Sequence, residues 1–369
     1  MSTPVTGDLL YSEIEDDLRA TVRSVLDKRS AWSDVLERTE SDTPVDRELW
    51  LALGTDVGCS SLAIPERFGG AGASWRESAV VSEELGRAVA PVPFLGTAVA
   101  GALLLELGEE ELLPQIASGE LGAAVAVPFG ATAGVSGVPV TVDGRTLYGS
   151  VRGVADALVA DVLLVPVGDA LYAVGSESEG LVRTPVVSLD MTRPLVDLSF
   201  DGVSARPVAR GPNVPAAVDA ALRIGAVLLA SEQLGVAERC LDMTVEYLGV
   251  RSQFARVLGS YQALKHRLAD LWVLITQARA VARYAAECAA VGSPDLPVAA
   301  ALAQAHCSVV VQQAAEECVQ LHGGIGFTWE HPAHLYLKRA KSSAIAFGTP
   351  ERHRAVLADL IDLPGGGPA

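Results

Sequence analysis

The chain has 369 residues and a mass of 38.4 kDa, with 50% apolar residues, 20% charged residues and a mean hydropathy of +0.31. These values are typical of a globular protein of two or three domains and exclude a disordered chain. The 28 basic and 45 acidic residues give a net charge of −17. Because that charge repels phosphate backbones and anionic lipid headgroups, we expect neither a nucleic-acid partner nor a membrane partner, and an anionic cofactor requires a local basic patch.

Targeting features and cysteine usage favour a cytoplasmic location. The acidic first 17 residues lack the basic and then apolar pattern of a secretory signal. The most apolar windows, residues 88–107 and 216–235, contain prolines or charges, so we expect no membrane span. The five cysteines are scattered and form no CxxC pair; they are Cys59, Cys240, Cys288, Cys307 and Cys318. This usage predicts reduced, buried thiols.

Residues 1–120 are predicted to form a helical domain. Apolar residues recur there at spacings of three and four, with charges between them. The predicted helices cover residues 8–28, 75–86 and 96–107. Segment 64–72 (Ile-Pro-Glu-Arg-Phe-Gly-Gly-Ala-Gly) must break the helical run, and Pro91 and Pro93 force a second non-helical link. Alone, segment 64–72 indicates no more than a tight turn.

Residues 121–212 are predicted to form a small β domain. The composition shifts to Val, Gly and Pro, and short apolar runs alternate with turn residues. The runs cover residues 123–127, 138–142, 159–167, 171–174 and 182–187. Val142-Asp143-Gly144-Arg145 suits a hairpin, because Asp-Gly favours the tight turns that join antiparallel strands.

Residues 213–369 are predicted to form a C-terminal bundle of four antiparallel helices. Long, Ala-rich amphipathic segments end at glycine-containing stops. The predicted helices cover residues 216–250, 261–291, 297–321 and 332–346. The resulting order of helices, sheet and helices predicts an α+β fold, and the Gly-rich tail at 364–369 is expected to fray.

Two segments of the bundle are candidates for binding a ligand. The first contains Arg251, Arg256, Lys265, His266 and Arg267, a concentration of positive charge in an acidic chain. Such a loop is either a diphosphate clamp, because guanidinium groups match phosphate oxygens, or a solvated helix cap. The second is Gln320-Leu321-His322-Gly323-Gly324-Ile325-Gly326-Phe327, whose glycines either let backbone amides approach a ligand or only stop a helix.

Other catalytic and metal-binding patterns are not found. His331 and His334 are three residues apart, but Pro332 lies between them and no carboxylate or thiol cluster completes a metal site. No nucleophile elbow, zinc-protease motif or phosphate-binding loop occurs, and no strand precedes the glycines at 323–326 as a dinucleotide fingerprint requires. We therefore assign no metal ligand and no catalytic residue.

Together these segments resemble the acyl-CoA dehydrogenase family over nearly the whole chain. The resemblance rests on segment 64–72, Arg251-Ser252-Gln253-Phe254, Gln262, the segment from Gln320 to Phe327, and Gly348-Thr349, in that order around a middle β domain. It implies FAD-dependent α,β-desaturation of an acyl-CoA thioester, in which a carboxylate removes the α-proton and the β-hydrogen leaves as hydride. Family members are usually tetramers. Residues of the bundle reach across an interface to the neighbour's FAD, a role that the resemblance gives here to Arg251, Phe254, Gln262, Gln320, Leu321, His322, Gly323 and Gly324.

The chain departs from the family pattern where its own active site is expected. The usual base precedes the Gly-Thr pair, and that position holds Phe347; the alternative position in the first bundle helix holds Gly225. Neither residue accepts a proton. In the middle domain, Ala126-Val127-Pro128 replaces a Thr-Glu-Pro stretch, and Gly153 and Ala155 replace a Trp and a Thr that lie against the flavin.

This asymmetry resembles the base-less subunit of the α2β2 acyl-CoA dehydrogenases of actinobacterial sterol side-chain catabolism. It implies a subunit that completes the FAD site of a related partner, with the acyl-CoA bound mainly by that partner and an electron-transfer flavoprotein as acceptor. One alternative is a homo-oligomeric dehydrogenase whose base is Asp219, Glu232 or Glu238, although these residues are expected to be solvated or paired within the helix. Another is a scaffold that binds acyl thioesters without redox chemistry.

Overall fold

The computed structural model describes residues 9–134 and 137–363, and its first region is helical. The helices are α1 (Glu13–Arg29), α2 (Trp32–Thr39), α3 (Arg47–Leu51), α4 (Trp75–Arg87), α5 (Phe94–Leu107) and α6 (Leu113–Ala117). Helix α1 begins five residues later than predicted, because Ser12 caps it. The Ser12 hydroxyl accepts from the Glu15 amide, and the Glu15 carboxylate accepts from the Ser12 amide. Segment 64–72 is the expected turn, with a short 3-10 helix at Glu66–Phe68.

The second region contains two four-stranded sheets. Their strands are β1 (Ala123–Val125), β2 (Val140–Asp143), β3 (Thr146–Ala155), β4 (Val162–Val167), β5 (Ala170–Gly175), β6 (Leu181–Val186), β7 (Leu195–Ser204) and β8 (Arg206–Arg210). One sheet has the order β1-β4-β5-β8 and the other β2-β3-β7-β6. The hairpin predicted at 142–145 joins β2 to β3, whereas the parallel pairing of β1 with β4 was not predicted. A separate apolar core of alternating strand residues lies within this region.

The third region is helical again. It contains α7 (Asn213–Val250), α8 (Gln262–Ala290), α9 (Leu296–His322), α10 (Ala333–Ser343) and α11 (Pro350–Leu360), with a small hairpin of β9 (Ser252–Gln253) and β10 (Arg256–Val257) after α7. Helix α10 ends three residues earlier than predicted. Helix α11 was not predicted, although the Thr349 N-cap followed by Pro350 is a helix-start signal.

The two helical regions share one apolar core, and the middle sheets pack against it. Helices α4 and α5 pack against α7, and residues from all three regions join the same buried apolar cluster. The predicted α+β class and the order of helices, sheets and helices are confirmed. The predicted boundaries at 120/121 and 212/213 stay predictions, while the change of element type falls between Ala117 and Ala123 and again between Arg210 and Asn213.

Helix α7 meets the criteria of length and composition for a membrane span, which was not expected from the sequence. Within residues 9–134 and 137–363 it is the one helix long and apolar enough to cross a membrane by length and composition, but 72% of the window is buried inside the chain. Core helices of soluble proteins pass the same test, because a helix surrounded by others is apolar all round. The five cysteines are buried and free, as predicted. The tail at 364–369 lies outside the described residues.

Candidate functional site

Gly225 and Phe347, the two positions where the family pattern puts a base, are neighbours. Gly225 lies in the buried part of α7, and Phe347 lies in the loop between α10 and α11. A β-carbon at Gly225 would lie 2.6 Å from Cζ of Phe347 and 2.9 Å from Cγ2 of Val99 on α5. The aromatic ring therefore fills the space beside Gly225.

Hydrogen bonds and ring contacts hold Phe347 in this position. Its amide donates to the Phe129 carbonyl at 2.8 Å, and its carbonyl lies 2.9 Å from Nε2 of His353. Burial lowers the pKa of His353, so the neutral ring carries its proton on one nitrogen. The Phe347 ring meets Phe129 edge to face at 5.9 Å, and its φ of +52° is unfavourable for a bulky residue. Surrounding contacts must maintain such a conformation. We call Phe347 the plug, because its ring is held in place and fills the space beside Gly225.

The pocket beside this plug is small and apolar. Its volume is about 30 Å³. Ligand pockets for drug-sized molecules measure roughly 300–1,000 Å³. The lining residues are Leu95, Gly96, Val99, Val125, Val127, Pro128, Phe129, Ala155, Leu222 and Phe347. The pocket therefore has no room for a flavin ring, and none of its lining side chains is a carboxylate.

Glu232 differs from the solvated or intrahelical residue that the sequence suggested. It is 5% exposed and pairs with two arginines from other elements, Arg193 from the loop before β7 and Arg339 on α10, the latter at 2.9 Å. Burial raises the pKa of Glu232, but the two guanidinium groups outweigh burial and hold the pKa below its usual range. Glu232 is therefore an ionised member of a buried network and not a base in a cleft.

The other two acidic candidates on α7 are also engaged. Glu238 pairs with Arg279 on α8 at 2.6 Å, an interhelical pair where an intrahelical one was suggested. Asp219 is half-buried and accepts a hydrogen bond from the Gly134 amide at 2.7 Å. None of the three acids lines the 30 Å³ pocket.

The predicted cofactor residues around Arg251 lie on the surface. Phe254 sits at the tip of the β9–β10 hairpin with 86% of its surface exposed and a φ of +53°. Arg251 and Gln262 are exposed, and within the described ranges no carboxylate lies within 4 Å of the Arg251 guanidinium. Arg256 stacks on Tyr261 at 3.7 Å, which stabilises the loop. This half of the site offers an unpaired cation beside an exposed aromatic ring.

The second half of the predicted cofactor site, the segment from Gln320 to Gly324, lies at the same end of the bundle as the loop after α7. Gln320, Gly323 and Gly324 are exposed where α9 ends. Tyr247, near the end of α7, stacks on His322 at 4.5 Å and so joins the two segments. A β-carbon at Gly324 would meet nothing within 4 Å, so packing within this chain does not require glycine there. We name the exposed set Arg251, Phe254, Gln262, Gln320, Gly323 and Gly324 the clamp surface.

Leu321 and His322 do not share that exposure, and their role as cofactor-binding residues stays a prediction. Both side chains are buried within the chain. Nδ1 of His322 lies 2.6 Å from the Cys318 carbonyl, and its ring stacks on His331 at 4.1 Å. His334 packs instead on Trp329, and no group of three metal-ligating side chains occurs in the part of the chain that the structure describes.

Three exposed aromatic residues were missed by the sequence reasoning. Phe327 is 77% exposed, Trp329 59% and Trp272 57%. Large exposed aromatic side chains are enriched in protein–protein interfaces, because they supply apolar area at low entropic cost. The sequence signal was Gly-Phe-Thr-Trp directly after the glycines. Arg267, by contrast, pairs with Glu317 at 2.7 Å and is not free for a ligand.

Comparison with known proteins identifies the family. The acyl-CoA dehydrogenase N-terminal domain matches residues 12–120, and the acyl-CoA dehydrogenase C-terminal domain matches residues 215–361. The chain belongs to the acyl-CoA dehydrogenase family. This dehydrogenase-family chain is 36% identical over 352 residues to the acyl-CoA dehydrogenase IpdE2 of Mycolicibacterium smegmatis, covering 95% of this chain and 100% of that protein.

Solved structures of two steroid-type or heteromeric dehydrogenases are similar over the same length. The ChsE4-ChsE5 complex from Mycobacterium tuberculosis matches with a TM-score of 0.86 at 29% identity, covering 97% of this chain and 100% of that chain. A variant of the Tcur3481-Tcur3483 steroid acyl-CoA dehydrogenase matches with a TM-score of 0.84 at 30% identity, and the match covers 95% of this chain and 98% of that chain. The first of these two structures is that of a complex.

Proposed function

We propose that this chain is the non-catalytic subunit of a heteromeric, FAD-dependent acyl-CoA dehydrogenase and completes the FAD site of a related partner subunit. The observation that carries the proposal is the Phe347 ring against Gly225 in a pocket of about 30 Å³. The pocket beside this ring is too small for a flavin ring, and no carboxylate lines it. The flavin half of the site in this chain therefore does not fit the cofactor.

The clamp surface does fit part of that cofactor. The Arg251 guanidinium can donate to diphosphate oxygens, Phe254 offers a ring for stacking, and the exposed backbone at Gly323 and Gly324 allows close approach. Open space around Gly324 supports a ligand outside the chain as the reason for its glycine. When bound, FAD accepts the β-hydrogen of the acyl-CoA as hydride. The residues of this chain hold the diphosphate half and position the cofactor in the partner.

The partner is proposed to be a related acyl-CoA dehydrogenase chain in an α2β2 assembly. The exposed Phe254 ring at the tip of the β9–β10 hairpin supports a protein surface there. The partner supplies the base and most of the acyl-CoA site, and an electron-transfer flavoprotein takes the electrons. Steroid-type names among the relatives favour a steroid-derived acyl group.

Two other functions have less support. A homo-oligomeric enzyme would need a base on α7, but Glu232 is ion-paired and buried and Glu238 is paired with Arg279. A scaffold without redox chemistry would have no need of an exposed arginine at the same end of the bundle as exposed glycines. The clamp surface therefore favours the cofactor-completing subunit over both.

The test measures flavin absorbance per chain, first in this chain alone and then in the complex with its dehydrogenase partner. We expect little flavin alone and about one FAD per pair of unlike chains in the complex. The double substitution Arg251→Ala with Gln320→Ala should lower flavin retention in the complex. Arg152→Ala, an exposed residue of β3 away from the clamp surface, is the matched control. One FAD per chain in the protein alone, bleached by an acyl-CoA, would overturn the proposal.

A further inference from the structure

A cavity lies in the groove between α1, the start of α2, α4, α7 and α10, away from both halves of the cofactor site. Its volume is about 300 Å³. This value reaches the lower end of the range of roughly 300–1,000 Å³ that small-molecule sites occupy. Its lining shares no residue with the 30 Å³ pocket or with the clamp surface. A ligand in this cavity would therefore be separate from the flavin.

Three arginines from three helices line this cavity. They are Arg23 on α1, Arg87 at the end of α4 and Arg239 on α7. The acids of the lining are Asp27 and Glu84, so three cations face two anions in a chain whose net charge is −17. Glu84 accepts two hydrogen bonds from Arg23, at 2.8 and 2.7 Å, and is thereby neutralised. The excess of positive charge favours an anionic ligand.

The other two arginines of the cavity are only partly paired. Arg87 donates from Nη2 to Asp242 at 2.7 Å, and the Asp242 side chain is 45% exposed. Nη1 of Arg239 lies 3.5 Å from Glu246, whose side chain is 68% exposed. Within residues 9–134 and 137–363, no other carboxylate lies within 4 Å of either guanidinium. Since a guanidinium group has five N–H donors, both side chains keep donors for a ligand.

Tyr336 on α10 brings these two arginines to one part of the cavity. Its hydroxyl donates to the Arg87 carbonyl at 2.7 Å. Burial raises the pKa of Tyr336, and the nearby Arg239 and Arg87 guanidinium groups act in the opposite direction. Both cations therefore lie close to the same phenol, where one oxyanion can accept hydrogen bonds from both.

An aromatic ring and apolar side chains form the rest of the lining. Trp32, the first residue of α2, is 38% exposed, and Leu26, Ala31 and Ala88 lie beside it in the lining. An exposed indole next to a cationic site offers a stacking surface for a planar ring. A bare inorganic anion would leave this apolar surface uncovered, whereas an aromatic body would bury it.

We propose that this cavity binds a phosphate monoester with a planar aromatic body. The phosphate accepts hydrogen bonds from Arg87 and Arg239, because the planar fork of a guanidinium group matches phosphate oxygens. A phosphate monoester carries nearly two negative charges at neutral pH and so offsets both partly paired cations. The aromatic body lies on Trp32. The site goes beyond the proposed function, because it requires neither flavin nor a partner chain.

Ligand-observed NMR titrations of the full chain at about pH 7.5 test the site with phenyl phosphate, phenol and inorganic phosphate. Phenyl phosphate should bind at least about 10-fold more tightly than phenol or inorganic phosphate, because each of these keeps only one of the two contacts. Arg239→Gln should weaken phenyl phosphate binding about 10-fold, since it removes a charge-assisted hydrogen bond. Trp32→Ala should weaken phenyl phosphate binding and leave the affinity for inorganic phosphate unchanged.

Arg29→Gln is the matched control. Arg29 is exposed at the end of α1 and does not line the cavity, so phenyl phosphate affinity should stay within about 2-fold. Arg87→Gln should show the same loss as Arg239→Gln and serves if that variant does not fold.

Three results would overturn the site: phenol binding as tightly as phenyl phosphate, inorganic phosphate doing so, or unchanged phenyl phosphate affinity in Arg239→Gln. The clamp-surface substitution Arg251→Ala with Gln320→Ala should leave phenyl phosphate binding unchanged. A loss in that variant would place the phosphate at the clamp surface and would also overturn the site. Because no flavin enters the readout, failure here leaves the flavin stoichiometry of the proposed function untouched.

Discussion

A β-carbon at position 225 would lie 2.6 Å from Cζ of Phe347, so the absence of a side chain on α7 and the ring from the α10–α11 loop depend on each other. Each residue removes one possible base position, and together they close the space between them. The closure is physical as well as chemical: a carboxylate residue placed at position 225 alone would still collide with the Phe347 ring. This coupling favours a subunit specialised for supporting a partner's site over one that has lost a single residue.

Gly225→Ala should destabilise the chain by about 1–3 kcal/mol, because the added methyl group overpacks a fixed ring. Urea unfolding measures the effect. Gly101→Ala on α5 is the control, since its β-carbon would meet nothing within 4 Å and should be neutral or stabilising. Combining Gly225→Ala with Phe347→Leu should cost less than the sum of the two changes. Equal stability of the 225 and 101 variants would contradict the coupling.

The buried network around Arg339 should be the most sensitive polar feature of the fold. The Arg339 side chain is 2% exposed and pairs with Asp190 at 3.0 Å and Glu232 at 2.9 Å, which ties the middle region to the bundle. Arg339→Met leaves both acids without this partner and should cost about 3–5 kcal/mol in unfolding free energy. Arg354→Met, at an exposed pair, should stay within about 0.5 kcal/mol. A small loss in the Arg339 variant would show that water satisfies the network.

Local sequence patterns predicted most of the helices and strands, but they could not show that Glu232 is buried and ion-paired. Apolar periodicity and turn residues report on neighbours within a few positions. The arginine partners of Glu232 lie 39 and 107 residues away along the chain, so spacing on α7 could not show them. The same holds for Gly225 with Phe347 and for the burial of His322 under Tyr247. Helix α11 was within reach, since Thr349 and Pro350 are a local start signal.

Acid should weaken the contribution of Glu232 to stability. Its folded pKa is below the ordinary value of about 4.3 for glutamate, so the unfolded chain takes up the proton first as pH falls. The stabilisation is therefore complete above the ordinary value and is lost as pH falls through the folded pKa. Unfolding free energies of the chain and of Glu232→Gln should start to converge as the pH falls below about 5. If the difference in unfolding free energy between the two proteins does not change with pH, Glu232 is not ionised in the folded chain. Glu83, whose pKa is raised by burial, contributes the opposite pH dependence to both proteins, so the comparison cancels its effect.

Gly324 and Gly326 should respond differently to the same substitution. A β-carbon at Gly324 would meet nothing within 4 Å of this chain, whereas one at Gly326 would lie 2.6 Å from the Val319 carbonyl oxygen. Gly324→Ala should leave the unfolding free energy of the isolated chain unchanged or slightly higher and should lower flavin retention in the complex, because its methyl group occupies the approach to the clamp surface. Gly326→Ala should destabilise the isolated chain itself. Full flavin retention in a stable Gly324→Ala complex would mean that the backbone there does not approach a cofactor, and the clamp surface would then reduce to Arg251 and its neighbours.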